Sequence, residues 1–124
     1  MSAVTASVSV VNRFVPLQSC ASKNRYVFAY TITITNLSDK PFQLISRHWI
    51  ITDGTGETEE VYGDGVVGEQ PLIQPGERFT YTSGSVFKTE MGTMEGRYFM
   101  QRQNGDKFEV EIPLFVLSIP RTLH

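Results

Sequence analysis

The chain has 124 residues, the size of one ordinary domain, and its 40% apolar and 19% charged residues exclude a disordered protein. Lys and Arg number 11 against 13 Asp and Glu, and the resulting net charge of -2 argues against a dedicated nucleic-acid-binding protein. One cysteine, Cys20, excludes an internal disulfide and a zinc site built from several cysteines.

The N-terminal segment lacks a basic region followed by an apolar core, so we expect no signal peptide. No apolar run approaches the roughly 20 residues that cross a bilayer, and no membrane contact is expected. Because no repeat, low-complexity tract or linker divides the sequence, we predict a single domain over residues 1–124 in a soluble, cytoplasmic protein.

Apolar and polar side chains that alternate with a period of two residues indicate β-strands. In residues 26–34, large apolar or aromatic side chains occupy every second position, and the β-branched Thr31 and Thr33 lie between them. In residues 108–117 the same alternation predicts one shared face for Phe108, Val110, Ile112, Leu114 and Val116.

Turn-forming residues separate such runs. Pro75-Gly76 suits a tight turn, and Asn104-Gly105 is the strongest hairpin signal because both residues tolerate positive φ. Together these patterns predict seven strands without a convincing amphipathic helix, and the strands lie near residues 3–13, 25–36, 42–52, 58–62, 78–87, 96–103 and 107–117.

Seven short antiparallel strands predict an all-β fold, a fibronectin-type-III/immunoglobulin-like two-sheet β-sandwich. The single cysteine excludes the Cys–Trp–Cys core of a true immunoglobulin domain, so the fibronectin-like variant fits better. Trp49 is the natural centre of the core, and the strand pattern predicts that it is joined there by Ile32, Ile34, Phe79, Tyr81, Val110 and Ile112.

A G-x-G-x-x-G motif is formed by Gly63, Asp64, Gly65, Val66, Val67 and Gly68. In a dinucleotide-binding fold a helix follows this motif, but here two prolines follow within eight residues and no helix can form. Two interpretations stay open: the glycines permit a bend between strands, or their amides form a concave nest for phosphate or pyrophosphate. These six residues are the candidate binding loop.

Other reactive side chains lack the neighbours that chemistry needs. The sequence singles out no nucleophile or orienting carboxylate for His48, so we interpret it as a structural, hydrogen-bonded residue. Cys20 lies in a polar stretch with nothing to lower its pKa, and we interpret it as inert. One acidic cluster lacks the residue spacing of a calcium-binding loop, and we expect its side chains to be solvated. The cluster comprises Asp53, Glu57, Glu59 and Glu60. We therefore predict no catalytic, cofactor or metal site.

Several segments, in order along the chain, resemble one family. They read RHWIITDG in residues 47–54, VYGDGVVG in 61–68, PLIQPGE in 71–77 and YTSG in 81–84, followed by GTMEGRY in 92–98 and residues 108–115. From about residue 8 to residue 120 the chain resembles the ApaG family of small bacterial proteins.

The resemblance implies a fibronectin-type-III-like sandwich and a family without an accepted catalytic set. Bacterial members are associated with cobalt tolerance and magnesium efflux, and their genes often lie beside a diadenosine tetraphosphatase. Related domains in eukaryotic F-box proteins, and in a protein that binds DNA polymerase delta, look like interaction modules.

Three functional hypotheses follow. The first is a non-enzymatic binding module with a protein partner, present as a monomer or weak homodimer. The second is a phosphate- or nucleotide-binding protein that uses the candidate binding loop. The third is a direct sensor of divalent cations.

Overall fold

The computed structural model describes residues 5–120. Two short 3-10 turns, Pro16–Gln18 and Ala21–Lys23, lie between the first two strands. The eight strands in this part of the chain are β1 (Ala6–Phe14), β2 (Tyr26–Asn36), β3 (Phe42–Asp53), β4 (Thr58–Asp64), β5 (Leu72–Ile73), β6 (Arg78–Phe87), β7 (Met91–Arg102) and β8 (Lys107–Ser118).

The strands form two antiparallel sheets packed face to face, which confirms the predicted β-sandwich. The smaller sheet has the order β1-β2-β6, and the larger has the order β4-β3-β7-β8, with β5 paired to the start of β3. Between residues 5 and 120 no helix has the length and apolar character needed to cross a membrane.

The core lies between the sheets and contains the predicted centre. Trp49 is 3% exposed, and its ring packs edge-on against Tyr30 and Phe115. Five further side chains that were predicted in the core are buried there, namely Ile32, Ile34, Tyr81, Val110 and Ile112. The sixth, Phe79, is only partly buried and packs against the core.

Three strand predictions were incomplete. β4 continues past residue 62 to Asp64, so the first two residues of the candidate binding loop belong to the strand. β5 was missed because two residues are too few to show alternation; they pair with Phe42 and Gln43. β7 starts at Met91 rather than near residue 96, because Gly92 belongs to the strand instead of ending it. A Cβ at Gly92 would lie 2.5 Å from the Phe87 ring, so glycine is what allows this close packing. Residues 3 and 4 of the predicted first strand lie outside the described residues.

The predicted apolar face of β8 is wrong beyond Ile112. The pairing of β7 with β8 shifts by one residue between Met94 and Gly96, which is a β-bulge in β8. The extra residue reverses the alternation, so Leu114 and Val116 are 54% and 50% exposed while Leu117 is buried.

The two long sides of the sandwich differ. On one side β1 runs beside β8 in the same direction, and the Asn12 Nδ2 donates a hydrogen bond to the Val116 carbonyl at 3.2 Å. On the other side, between β4 and β6, the candidate binding loop covers the gap, and Val66 is buried in the core.

Candidate functional site

The candidate binding loop leaves β4 and turns back in a two-residue hairpin. Val66 and Glu69 exchange backbone hydrogen bonds of 2.8 and 3.0 Å around Val67 and Gly68. Both central residues have positive φ, +45° at Val67 and +79° at Gly68, as in a type I′ turn. Gly65 also has a positive φ, and its amide donates to the Ile45 carbonyl at 2.8 Å.

This geometry reduces the number of loop amides that could donate to an anion. The amides of Gly65, Val66 and Glu69 already donate to backbone carbonyls. An anion held by the loop would therefore use its other amides, and the loop as an anion site stays a prediction.

Arg47 lies directly beneath the loop and is held by it. In the ladder between β3 and β4, Arg47 pairs with Gly63. Its Nη1 donates to the carbonyls of Asp64 and Gly65 at 3.1 and 2.8 Å. A Cβ at Gly63 would lie 2.7 Å from Cζ and from both Nη atoms of Arg47, so the guanidinium rests on the bare glycine backbone.

A cavity of about 230 Å³ opens next to this guanidinium and is lined by both sheets and the loop. The lining side chains are Tyr30, Arg47, Trp49, Val66, Val67, Tyr81 and Ser83. Within residues 5–120 the ion pairs are His48 with Glu60 and Arg97 with Glu109, so no described carboxylate pairs with Arg47.

The two phenol groups that line this cavity, and the neighbouring Tyr98, stay protonated. Burial raises the pKa of Tyr30, Tyr81 and Tyr98 above the usual value for tyrosine, and the Arg47 charge opposes this only weakly. The hydroxyls of Tyr81 and Tyr98 hydrogen-bond to each other at 2.5 Å. The hydroxyls are therefore neutral hydrogen-bond groups at physiological pH.

The solvent-facing side of the larger sheet carries a second cluster, centred on His48. His48 is buried, and its Nε2 lies 2.9 Å from the Glu60 Oε1. The Tyr62 ring stacks on the imidazole with centroids 4.1 Å apart and planes 3° apart, and Tyr62 itself is 68% exposed. Glu60 is thus a carboxylate partner that the sequence did not single out, and one member of the acidic cluster that was expected to be solvated. His48 is hydrogen-bonded and packed, and its structural role stays a prediction.

A groove of about 400 Å³ continues across the same side of the sheet from this cluster. Arg97 pairs with Glu109 at 3.3 Å, whereas neither Glu95 nor Glu111 has an ion-pair partner in the described residues. We call this surface the acidic face and define it by Ile50, Tyr62, Glu95, Arg97, Glu109 and Glu111.

The remaining sequence candidates are dispersed. Asp53 accepts hydrogen bonds from the amides of Thr55 and Glu57 and from the Thr55 hydroxyl, and these bonds lower the pKa of Asp53. In the described part of the chain no three His, Cys, Asp or Glu side chains are grouped for a metal ion. Cys20 lies 3.3 Å from the Ser22 hydroxyl, which lowers the pKa of the thiol, an effect that the sequence interpretation missed.

Of the cavity residues, only Val66 and Val67 were predicted as site residues; Trp49 and Tyr81 were predicted only as part of the core, and Arg47 was not predicted at all. One signal was available, since Arg47 precedes Trp49 by two residues and therefore shares its core-facing side of β3. A charged side chain in a core-facing position needs hydrogen-bond partners, and here the carbonyls of Asp64 and Gly65 accept hydrogen bonds from Arg47.

Comparison with known proteins defines the class of this sandwich. The family model described as ApaG domain matches residues 16–102. The chain is 56% identical over 117 residues to Protein ApaG of Aromatoleum aromaticum, covering 94% of this chain and 92% of the relative. It is 54% identical over 118 residues to Protein ApaG of Pseudomonas aeruginosa, covering 95% and 94%.

Solved structures agree. A crystal structure of an ApaA protein from Bordetella pertussis superimposes with a TM-score of 0.91 at 56% identity, covering 94% of this chain and 95% of that one. A protein from Archaeoglobus fulgidus, 10% identical with a TM-score of 0.57 over 94% of this chain and all (100%) of that one, shares the fold alone. The chain belongs to the ApaG family.

Proposed function

We propose that this protein is a non-enzymatic interaction module and that the acidic face is its docking surface. The observation that carries the proposal is the combination of an exposed aromatic ring with carboxylates that lack a cationic partner in the described residues. The partner that fits is a protein segment with Lys or Arg side chains around an apolar residue.

Tyr62 has the properties of an interface anchor. Its ring is exposed but already fixed against His48, so little side-chain freedom would be lost on binding. Tyrosine is also enriched among residues that dominate interface energies. Ile50 lies two ladder positions away, and therefore on the same side of the sheet, and adds apolar surface.

Glu95 and Glu111 supply the charge selectivity. Both lie at the groove without an ion-pair partner in residues 5–120, and Arg97 is already engaged by Glu109. Their field would attract a basic segment and repel an acidic one, which affects association rate and specificity more than affinity.

A photo-crosslinking amino acid placed at Tyr62 in living cells tests this surface. The matched control is the same amino acid at Val11, which is 73% exposed on the smaller sheet. We expect a discrete crosslinked protein from position 62 and none from position 11. The double variant Glu95→Lys and Glu111→Lys should remove that product; equal products from both positions would contradict the proposal.

The association with cobalt and magnesium tolerance would, on this proposal, act through the protein partner. Calorimetric titration of the metal-free protein with Co²⁺ and Mg²⁺ should then show no saturable binding below about 1 mM. Micromolar binding of either ion would instead favour a direct cation sensor.

The candidate binding loop carries the second candidate function, phosphate or nucleotide binding. Its support is the run of positive φ values at Gly65, Val67 and Gly68, a backbone shape that can turn amides towards an anion. Pyrophosphate should then shift the amide resonances of Gly63 and Gly68 saturably. If no amide moves, the glycines serve the bend alone.

A further inference from the structure

We infer that the cavity beneath the candidate binding loop is a binding site for a small organic carboxylate. The cavity lies between the two sheets, on the side that the loop covers, and it is distinct from the acidic face. Its lining combines one guanidinium, three aromatic side chains and the Ser83 hydroxyl.

Arg47 is the group that would hold the carboxylate. A guanidinium has five N–H groups, and in Arg47 the two on Nη1 are accounted for by the carbonyls of Asp64 and Gly65. The Nη2 and Nε edge is the part still able to form the paired hydrogen bonds that arginine makes with a carboxylate. The loop carbonyls and Gly63 fix the guanidinium in advance, which lowers the entropic cost of binding.

The charge of the site favours a monoanion. Arg47 is half-buried, and no carboxylate of the described residues lies within ion-pair distance of it. Withdrawing a charge from water without a counter-charge is costly, and a bound carboxylate would offset that cost. The other lining groups are neutral because burial keeps Tyr30 and Tyr81 protonated, so a phosphate dianion would bring one negative charge too many.

Size limits the ligand as well. The volume of about 230 Å³ is below the range of drug-sized pockets. The rings of Tyr30, Trp49 and Tyr81 offer apolar contact to a body of a few carbon atoms or one ring. The hydroxyls of Tyr30 and Ser83 belong to the same lining and are neutral groups that can donate or accept a hydrogen bond.

The single tryptophan of the chain reports on this cavity, because Trp49 forms part of its wall. The experiment follows Trp49 emission, excited at the red edge of its absorption, while acetate, benzoate or inorganic phosphate is added at constant ionic strength. We expect a saturable change with benzoate or acetate and none with phosphate. No saturable change with either carboxylate up to about 10 mM, or a response to phosphate alone, would overturn the inference.

Variants separate this site from unspecific binding. Arg47→Gln should weaken carboxylate binding at least tenfold, whereas Arg97→Gln, the same change on the acidic face, should leave it unchanged. Equal weakening by both variants, or by neither, would contradict the site.

A second variant covers the case in which Arg47→Gln does not fold. Gly63→Ala would press a methyl group against the movable end of Arg47 and displace the guanidinium. It should also weaken binding at least tenfold, and unchanged affinity in a folded Gly63→Ala protein would overturn the inference.

Discussion

At Gly65 the chain passes so close to its own hairpin that only a hydrogen atom fits. A Cβ there would lie 2.1 Å from the Glu69 carbonyl oxygen, a backbone atom that cannot move away easily, and the φ of +61° disfavours any side chain. We predict that Gly65→Ala lowers the free energy of unfolding by about 3 kcal/mol, the sum of overpacking and left-handed strain. Urea denaturation measures the change.

Gly68 provides the control for this prediction. Its φ of +79° is as unfavourable for alanine, but a Cβ would meet nothing within 4 Å. Gly68→Ala should therefore cost only about 1 kcal/mol. Equal losses at the two positions would mean that the contact with Glu69 does not explain Gly65.

Val67 occupies a backbone conformation that β-branched residues rarely adopt. Its φ of +45° places it in the left-handed region, at the first central position of the hairpin turn. Val67→Asn would create the Asn-Gly pair that type I′ turns prefer, and we predict a gain of about 1 kcal/mol in the free energy of unfolding. Thermal and urea unfolding should both show the gain; a loss would indicate that the valine side chain packs favourably at the cavity.

The buried tyrosines make the fold sensitive to alkali. Because burial raises the pKa of Tyr30, Tyr81 and Tyr98 above 10.0, the unfolded chain loses these protons first as the pH rises. The contribution of these protonated tyrosines to the free energy of unfolding is fully present below pH 10. Above that pH it is lost, by up to about 1.4 kcal/mol per pH unit for each group. Urea midpoints measured between pH 8 and 11 should be flat and then fall, less steeply in Tyr30→Phe.

The burial of apolar residues could be predicted from the sequence more readily than the burial of polar ones. Trp49 and Ile32 follow from alternation, because burial of an apolar side chain depends mainly on strand parity. Arg47 has the same parity as Trp49 but was not placed in the core, since its burial depends on the loop carbonyls of residues 64 and 65, distant in sequence. The cavity could not be predicted without that contact.

At the scale of elements, the bulge in β8 gives a deletion test. Because the bulge places one extra residue opposite β7, deleting Leu114 leaves a regular strand in which Phe115 and Leu117 keep their partners. We predict that the Leu114 deletion folds, with a loss below about 2 kcal/mol.

Deleting Glu111 is the matched control. Without that residue the strand must move either Ile112 or the residues before it off the core face, although both Ile112 and Val110 are buried. The Glu111 deletion should therefore lose far more stability in urea denaturation. Similar losses for the two deletions would show that the bulge is itself required for the fold.

The same bulge explains why strand prediction failed where it did. Alternation assigned Phe108, Val110 and Ile112 to the core face. The one extra residue of the bulge then places Phe115, instead of Leu114, on that face. An irregularity of one residue leaves no periodic signal, so only the pairing with β7 reveals it. The turn between β7 and β8, by contrast, was predicted in the right place, because Asn104-Gly105 does connect these strands. Its conformation differs from the expected one, since only Gly105 of the pair has a positive φ.

For the whole molecule we predict a monomer or a weak homodimer. Two edge strands, β1 and β8, lie beside each other, and β8 carries Pro113 at its bulge. β4, the edge of the larger sheet, carries Glu59 and Glu60, and such charges discourage pairing with a second copy. Sedimentation equilibrium at micromolar concentration should give the monomer mass or a weak dimer, and a tight tetramer would contradict this.

The course of β1 and β8 determines how the sandwich bears mechanical load. Ala6, at the start of β1, lies opposite Asn36, whereas Ser118, at the end of β8, lies opposite Met91 at the other end of the sandwich. Tension applied through these two points would act along the strands. All 9 residues of β1 would then be sheared from β2 together instead of being peeled away one pair at a time. The fold should therefore resist stretching along its long axis better than pulling across it.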